Sequence, residues 1–104
     1  MDRVELLAQV KASVLELEPG AEVILYGSRA RGDAGPESDW DFLILLEGPV
    51  DDARVDRIRH RLYEIEWQAD EVISSIIWNR CDWNADPCAQ MPIHDSVVAE
   101  GVRI

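Results

Sequence analysis

The sequence contains no apolar run approaching the roughly 20 residues that a membrane-spanning helix needs, and no repeat, low-complexity segment or linker. Its first residues, Met1-Asp2-Arg3-Val4-Glu5, lack the basic stretch followed by an apolar core that marks an export signal, so a cytoplasmic location is the expectation. Cysteine is nearly absent. Cys81 and Cys88 have six residues between them, without close pairing or neighbouring histidines, which excludes a zinc cluster and leaves two free thiols. His60 and His94 are isolated, with no partners at metal-ligand spacing. Positive charge is also scarce: 10 Lys and Arg face 21 Asp and Glu, a formal net charge of −11. Such a surface repels a polyanionic backbone, so nucleic acid is a disfavoured partner and a basic protein a better one. At 104 residues the chain makes one domain, 1–104, with no room for a second substrate-binding lobe.

What the sequence does contain is concentrated between Ile24 and Leu46. The short run Val23-Ile24-Leu25-Tyr26 is rich in β-formers and ends at Gly27. Gly27-Ser28-Arg29-Ala30-Arg31-Gly32 then opens a helical turn, whose unpaired N–H groups suit an anion such as a nucleotide's phosphates; Ser28 adds a hydroxyl donor. One short turn points Arg29 and Arg31 in different directions, so at most one of them can face a triphosphate. After the turn-rich Gly32 to Ser38 comes a second strand, Asp39-Trp40-Asp41-Phe42-Leu43-Ile44-Leu45-Leu46. Side chains two apart in a strand share a face, so Asp39 and Asp41 project together, opposite Trp40. Paired carboxylates suit Mg²⁺, which leaves its other positions to water and phosphate. If the two strands run antiparallel, the glycine turn and the carboxylates meet at one site. A ligand-free turn would account for Gly27 to Gly32 alone, and surface acids for Asp39 and Asp41 alone. Together they are poorly explained so, because two like charges on one face repel.

Gly27-Ser28-Arg29-Ala30-Arg31-Gly32 followed by Ser38-Asp39-Trp40-Asp41 resembles the signature of minimal nucleotidyltransferases, relatives of the DNA polymerase β core. The resemblance implies an α/β (α+β) fold, a small mixed β-sheet with helices packed on it in the order α-β-α-β-α-β-α. It also implies a site: Asp39 and Asp41 as catalytic metal ligands for Mg²⁺, and Gly27, Ser28, Arg29, Arg31 and Ser38 about an NTP, with ATP the expected one. The family commonly supplies a third carboxylate from the third strand. Here that strand offers Ser74 and Ser75, and the nearest acids are Glu66, Asp70 and Glu71. Either one of these reaches the site from the strand's start, or the third acid is missing and turnover is weakened; the sequence leans towards absence.

The remaining chain supplies the scaffold. Val4, Leu7, Val10 or Lys11, Val14 and Leu17 predict an amphipathic helix over 2–17, ended by Pro19-Gly20. Asp51-Asp52 start a second helix over 51–68 with the apolar stripe Val55, Ile58, Leu62 and Ile65; its Arg54, Arg57, Arg59, His60 and Arg61 read as a solvated, salt-bridged face. Val72 to Trp78 predict the third strand. The stretch Asp82 to Pro87 reads as turns, and a short helix from Ile93 to Glu100 is stopped by Gly101. Trp67, Trp78 and Trp83 are expected in core or edge packing.

Two functions follow from the resemblance. In the first, the domain binds an NTP with Mg²⁺ and transfers NMP to a hydroxyl, on a partner such as the HEPN-domain toxin of a toxin–antitoxin pair. In the second, turnover is lost and the domain neutralises a basic partner by binding alone. A nucleic-acid-modifying transferase is the weakest reading, because no basic groove is present. An exposed sheet edge makes a homo-oligomer unsurprising.

Overall fold

Asp2 begins the first helix by accepting the Glu5 N–H at 2.8 Å, and the computed structural model, which describes residues 2–35, 38–85 and 90–104, carries that helix, α1, through Arg3–Leu17. Strand β1 (Glu22–Tyr26), the one-turn helix α2 (Ser28–Arg31) and strand β2 (Trp40–Leu46) follow. Helix α3 (Asp52–Ala69), strand β3 (Ile73–Asn79), helices α4 (Arg80–Trp83) and α5 (Pro92–Glu100) and strand β4 (Val102–Arg103) complete the chain. This mixed α/β fold, a small sheet with helices packed on it, is the architecture the signature implies. Among the described residues no helix is long and apolar enough to cross a membrane.

The sheet runs in the order β3-β2-β1-β4, with β1 antiparallel to both β2 and β4, and β2 parallel to β3. Strand alternation divides its side chains between two layers. One face carries Val23, Leu25, Phe42, Ile44, Leu46 and Ile73 into a core closed by Leu6, Val10 and Val14 of α1 and Ile58, Leu62 and Ile65 of α3. The other carries Tyr26, Leu43 and Leu45 under Trp83 of α4 and Val97 of α5. Phe42, Leu43 and Ile44 are completely buried, which explains why β2 is apolar at every position after Asp41.

Several expectations shift in detail. The buried stripe of α1 is Leu6, Val10, Ser13 and Val14, while Val4 is exposed; the helix is rotated about its axis from the expected face, because Leu6, one turn before Val10, makes the deeper contact. Trp67 is exposed and meets the edge of Tyr63, since a residue two past Ile65 points away from the core. Trp78 and Trp83 do pack against the second face. The third strand starts one residue later than expected, with Val72 exposed outside it. The segment read as turns begins as a helical turn, because the Asn79 side chain caps it by accepting the N–H groups of Cys81 and Asp82. Pro36, Glu37, Asp86, Pro87 and Cys88 lie outside the described residues.

Gly101 ends α5 for a reason other than the one its position suggested. Its φ of −63° is open to any residue, so no left-handed cap is formed. A Cβ there would lie 2.5 Å from the Val97 carbonyl oxygen and 2.8 Å from a methyl of Ile24. Glycine lets the chain turn tightly against β1 and add β4 to the sheet, a strand of two residues too short to leave a periodic signal.

The helical layer is clasped where α1 ends. Glu18, the residue after α1, receives two hydrogen bonds from Arg54 of α3, at 2.6 and 3.1 Å, and Arg54 also donates to the Pro49 carbonyl. Both side chains are about five-sixths buried. The guanidinium hydrogen bond holds the Glu18 carboxyl below its ordinary range, against burial, which pushes it up. A depressed carboxyl stabilises the fold above its unfolded pKa and loses that contribution as pH falls through the folded value. Glu18→Gln is therefore expected to cost about 1–2 kcal/mol at neutral pH, between an exposed and a buried pair. In chemical denaturation the deficit should shrink towards zero as the solution is taken below the folded Glu18 pKa.

Candidate functional site

The ladder of β1 and β2 places Tyr26 opposite Asp41, so the chain leaving β1 turns directly over the Asp41 side chain. Gly27 makes that turn at φ 76° and ψ −160°, a region that a side chain would strain. It is also pressed on its neighbour: a Cβ at Gly27 would lie 2.5 Å from Oδ2 of Asp41. Conformation and space both demand glycine here. Helix α2 then starts at Ser28. The Gly27 carbonyl accepts the N–H groups of Ala30 and Arg31, and the Ser28 carbonyl those of Gly32 and Asp33, with Gly32 closing the turn in the left-handed region.

Asp41 lies on the face of the sheet opposite Trp40, and Asp39 stands one residue before β2 begins. Asp39 is exposed and Asp41 half-buried. Burial raises the Asp41 carboxyl above its ordinary value, the Asp39 charge raises it further, and Arg31 pulls it back down. These effects place Asp39, Asp41 and Arg31 in one electrostatic neighbourhood beside the Gly27 turn. Tyr26, which sequence reasoning left in the apolar run, borders the same site; burial raises its hydroxyl pKa, and the Asp41 charge adds to the effect. Its position one residue before Gly27 was the available signal.

The two arginines of the turn diverge. Arg31 pairs with Asp33 at 3.1 Å and with Glu100 of α5 at 2.9 Å. Arg29 lies on the Trp40 side of the sheet, its guanidinium 4.4 Å from the indole centroid. From there it donates to the Ser38 carbonyl at 2.9 and 3.2 Å and meets Glu71 at 3.5 Å. Arg29 thus lies against Trp40 and holds the Ser38 carbonyl, one residue before Asp39. Ser38 fastens the same turn: its Oγ accepts the Gly35 N–H at 2.9 Å.

The position beside Asp41 on β3 is Ser74, as their parallel register shows. The three nearby acids are placed otherwise. Glu66 accepts the Ile73 N–H at 3.1 Å, Glu71 is held by Arg29, and Asp70 is the exposed left-handed residue that ends α3. Among the described residues no three His, Cys, Asp or Glu side chains gather as a metal cluster. The carboxylates grouped beside the Gly27 turn are thus Asp41 in β2 and Asp39 one residue ahead of that strand. That set fits Mg²⁺ arriving with its substrate, since this ion takes one or two carboxylates and completes its shell with phosphate and water.

Comparison with known proteins places this geometry in context. The nucleotidyltransferase domain family matches residues 7–92. The probable protein adenylyltransferase MntA of Haemophilus influenzae is 37% identical over 68 residues, a stretch that spans 64% of this chain and 60% of that protein. Among solved structures, one described as a minimal nucleotidyltransferase superposes with a TM-score of 0.65 at 25% identity, covering 100% of this chain and 97% of its own. A toxin–antitoxin structure with AMP-PNP superposes at 0.60, with 16% identity over 99% of this chain and 72% of its own. At that identity the second likeness concerns the fold alone.

An ionised Asp41 is held against burial and a like charge, so its folded pKa lies above its unfolded one. Such a group leaves the fold most stable below the unfolded pKa and costs stability as pH rises through the folded value. Asp41→Asn is accordingly expected to raise the melting temperature at neutral pH, with the gain vanishing in acid. Gly27→Ala should do the opposite at all pH values, lowering stability by about 1–3 kcal/mol through backbone strain and the clash with Asp41. Thermal unfolding followed by circular dichroism checks both.

Proposed function

The chain belongs to the nucleotidyltransferase domain family, and from that footing we propose that it binds a nucleoside triphosphate with Mg²⁺ and transfers the nucleoside monophosphate to a hydroxyl group of a partner protein, the new phosphoester bond to the α-phosphorus forming as its bond to pyrophosphate breaks and pyrophosphate leaves. The observation that carries this reading is the packing of the Gly27 turn onto Asp41, which sets the start of the Ser28 helical turn directly beside that carboxylate. Asp39 and Asp41 would hold the ion. Bound there with the substrate, Mg²⁺ supplies charge neutralisation at the phosphate oxygens. The N–H and hydroxyl of Ser28 orient the terminal phosphates, and the Gly27 backbone permits their close approach. Arg31 supplies the nearest positive charge once an anion competes with Glu100 for it.

The acceptor side is sparer. Ser74 is too weak a base to take a proton from an attacking hydroxyl, so activation of the acceptor falls to solvent or to a group that the partner brings. A protein acceptor is supported by the net charge of −11, which disfavours a nucleic acid, and by the likeness to a protein adenylyltransferase. A HEPN-domain toxin is the partner proposed, with ATP as the donor.

Ser74 beside Asp41 also favours a second reading, in which the domain keeps its nucleotide site, turns over little or not at all, and restrains its partner by binding. The two readings separate in one experiment. Purified protein is incubated with α-labelled ATP, Mg²⁺ and a HEPN-domain partner, beside Asp39→Asn and Asp41→Asn variants. Transfer of label to the partner, lowered on the order of a hundredfold or more by either substitution, is the expected result. Neutralisation of the partner that survives both substitutions without label transfer would establish binding alone. Wild-type protein that neither binds ATP nor labels the partner would overturn the enzymatic reading.

A further inference from the structure

β3 lies at the edge of the sheet, and among the described residues no strand pairs with its outward side. The Trp40 N–H donates to the Val72 carbonyl, while Trp40 is in register with Ile73. In a parallel ladder this turns the backbone groups of Val72, Ser74, Ile76 and Trp78 towards β2 and those of Ile73, Ser75, Ile77 and Asn79 outward. Glu66 accepts the outward N–H of Ile73. Among the described residues, the outward backbone groups of Ser75 and Ile77 have no hydrogen-bond partner. The strand, Ile73-Ser74-Ser75-Ile76-Ile77-Trp78-Asn79, also lacks the lysine, proline or inward charge that usually guards a free edge.

Apolar surface continues from that edge onto α3. Tyr63 is 53% exposed, Trp67 73% and Val72 54%, and Trp67 rests against Tyr63 with ring centroids 6.1 Å apart. Between helix and strand runs a groove of about 330 Å³, walled by Arg59, Leu62, Tyr63 and Glu66 on one side and Ile73, Ser74 and Ser75 on the other. It carries one positive and one negative side chain. Among the described residues Arg59 makes no ion pair.

The geometry points to a second copy of this chain as the occupant: two β3 strands pair antiparallel about a two-fold axis and join the sheets into one. Such a contact is isologous, so whatever one copy presents the other must answer. Antiparallel β3 strands set the two α3 helices side by side in opposite directions. Arg59 and Glu66, seven residues or about 10 Å apart along α3, then face each other twice across the axis. A basic foreign protein finds no such match here, because Arg59 and Glu66 balance the charge of the groove. The outward amides gain partners, and Tyr63, Trp67 and Val72 leave water on both copies. The net charge of −11 on each copy opposes approach, so screening salt strengthens this dimer, whereas it would weaken binding of a basic protein.

The test uses the full chain alone, in sedimentation velocity over a range of protein and salt concentrations. The expected result is a concentration-dependent dimer that tightens as salt rises. Ser75→Pro removes one outward N–H and none of the ladder with β2, so it should leave circular dichroism and melting intact and the protein monomeric. Arg59→Glu should weaken dimerisation on the order of tenfold or more, and Arg59→Glu combined with Glu66→Arg should restore it, since the swap keeps the two-fold match. Should Ser75→Pro disturb the fold, Trp67→Ser on the exposed face serves in its place with the same expected loss. A chain that stays monomeric under every condition overturns the proposal. So does a dimer indifferent to the strand and charge variants, or self-association that salt dissolves.

Discussion

The pairing of Tyr26 with Asp41 is the constraint on which the rest of the structure depends. A strand has only two faces, and a slip of one residue exchanges them completely. With Phe42, Ile44 and Leu46 locked into the core beneath α1 and α3, the odd-numbered acids of the same segment have nowhere to go but the opposite side. The hydrophobic core thereby does what no local interaction would do alone. It holds two like charges together at the head of a buried strand and brings a glycine turn down upon one of them.

The two layers of the sheet meet different demands. Beneath α1 and α3 the packing is continuous, and the Glu18–Arg54 clasp ties the helices where they leave the sheet. The opposite layer is smaller. Trp83 and Val97 pack with Leu43 and Leu45, while Asp41 at the start of the strand is half-buried. Gly101 matters to this arrangement, because it draws the end of α5 onto β1 and returns the chain as β4.

Much of this was legible in the sequence, for physical reasons that differ from residue to residue. Helix α3 announced itself through Asp51 at its start and Ile58, Leu62 and Ile65 at helical spacing. The acid pair and the glycine turn were legible because a strand period of two and a backbone without a side chain leave little choice. Which face of α1 would be buried was not, since Val4 and Leu6 are equally apolar and only the sheet decides between them. The capped turn at Asn79 and the strand at Val102 were too short for any period to show. Within the site, the sequence indicated that Arg29 and Arg31 must part; which went where depended on Trp40, a contact between residues that only folding makes neighbours.

That divergence changes what the six-residue signature means. Gly27 and Arg31 sit with the carboxylates, while Arg29 is folded away over an indole and holds up the loop from beneath. A lineage that abandoned its chemistry would be released at Arg31 and remain bound at Gly27 and Arg29, for the backbone turn and the guanidinium contacts serve the fold. Finding the string intact in a genome therefore testifies first to ancestry and shape, and only together with the aspartates to a working site.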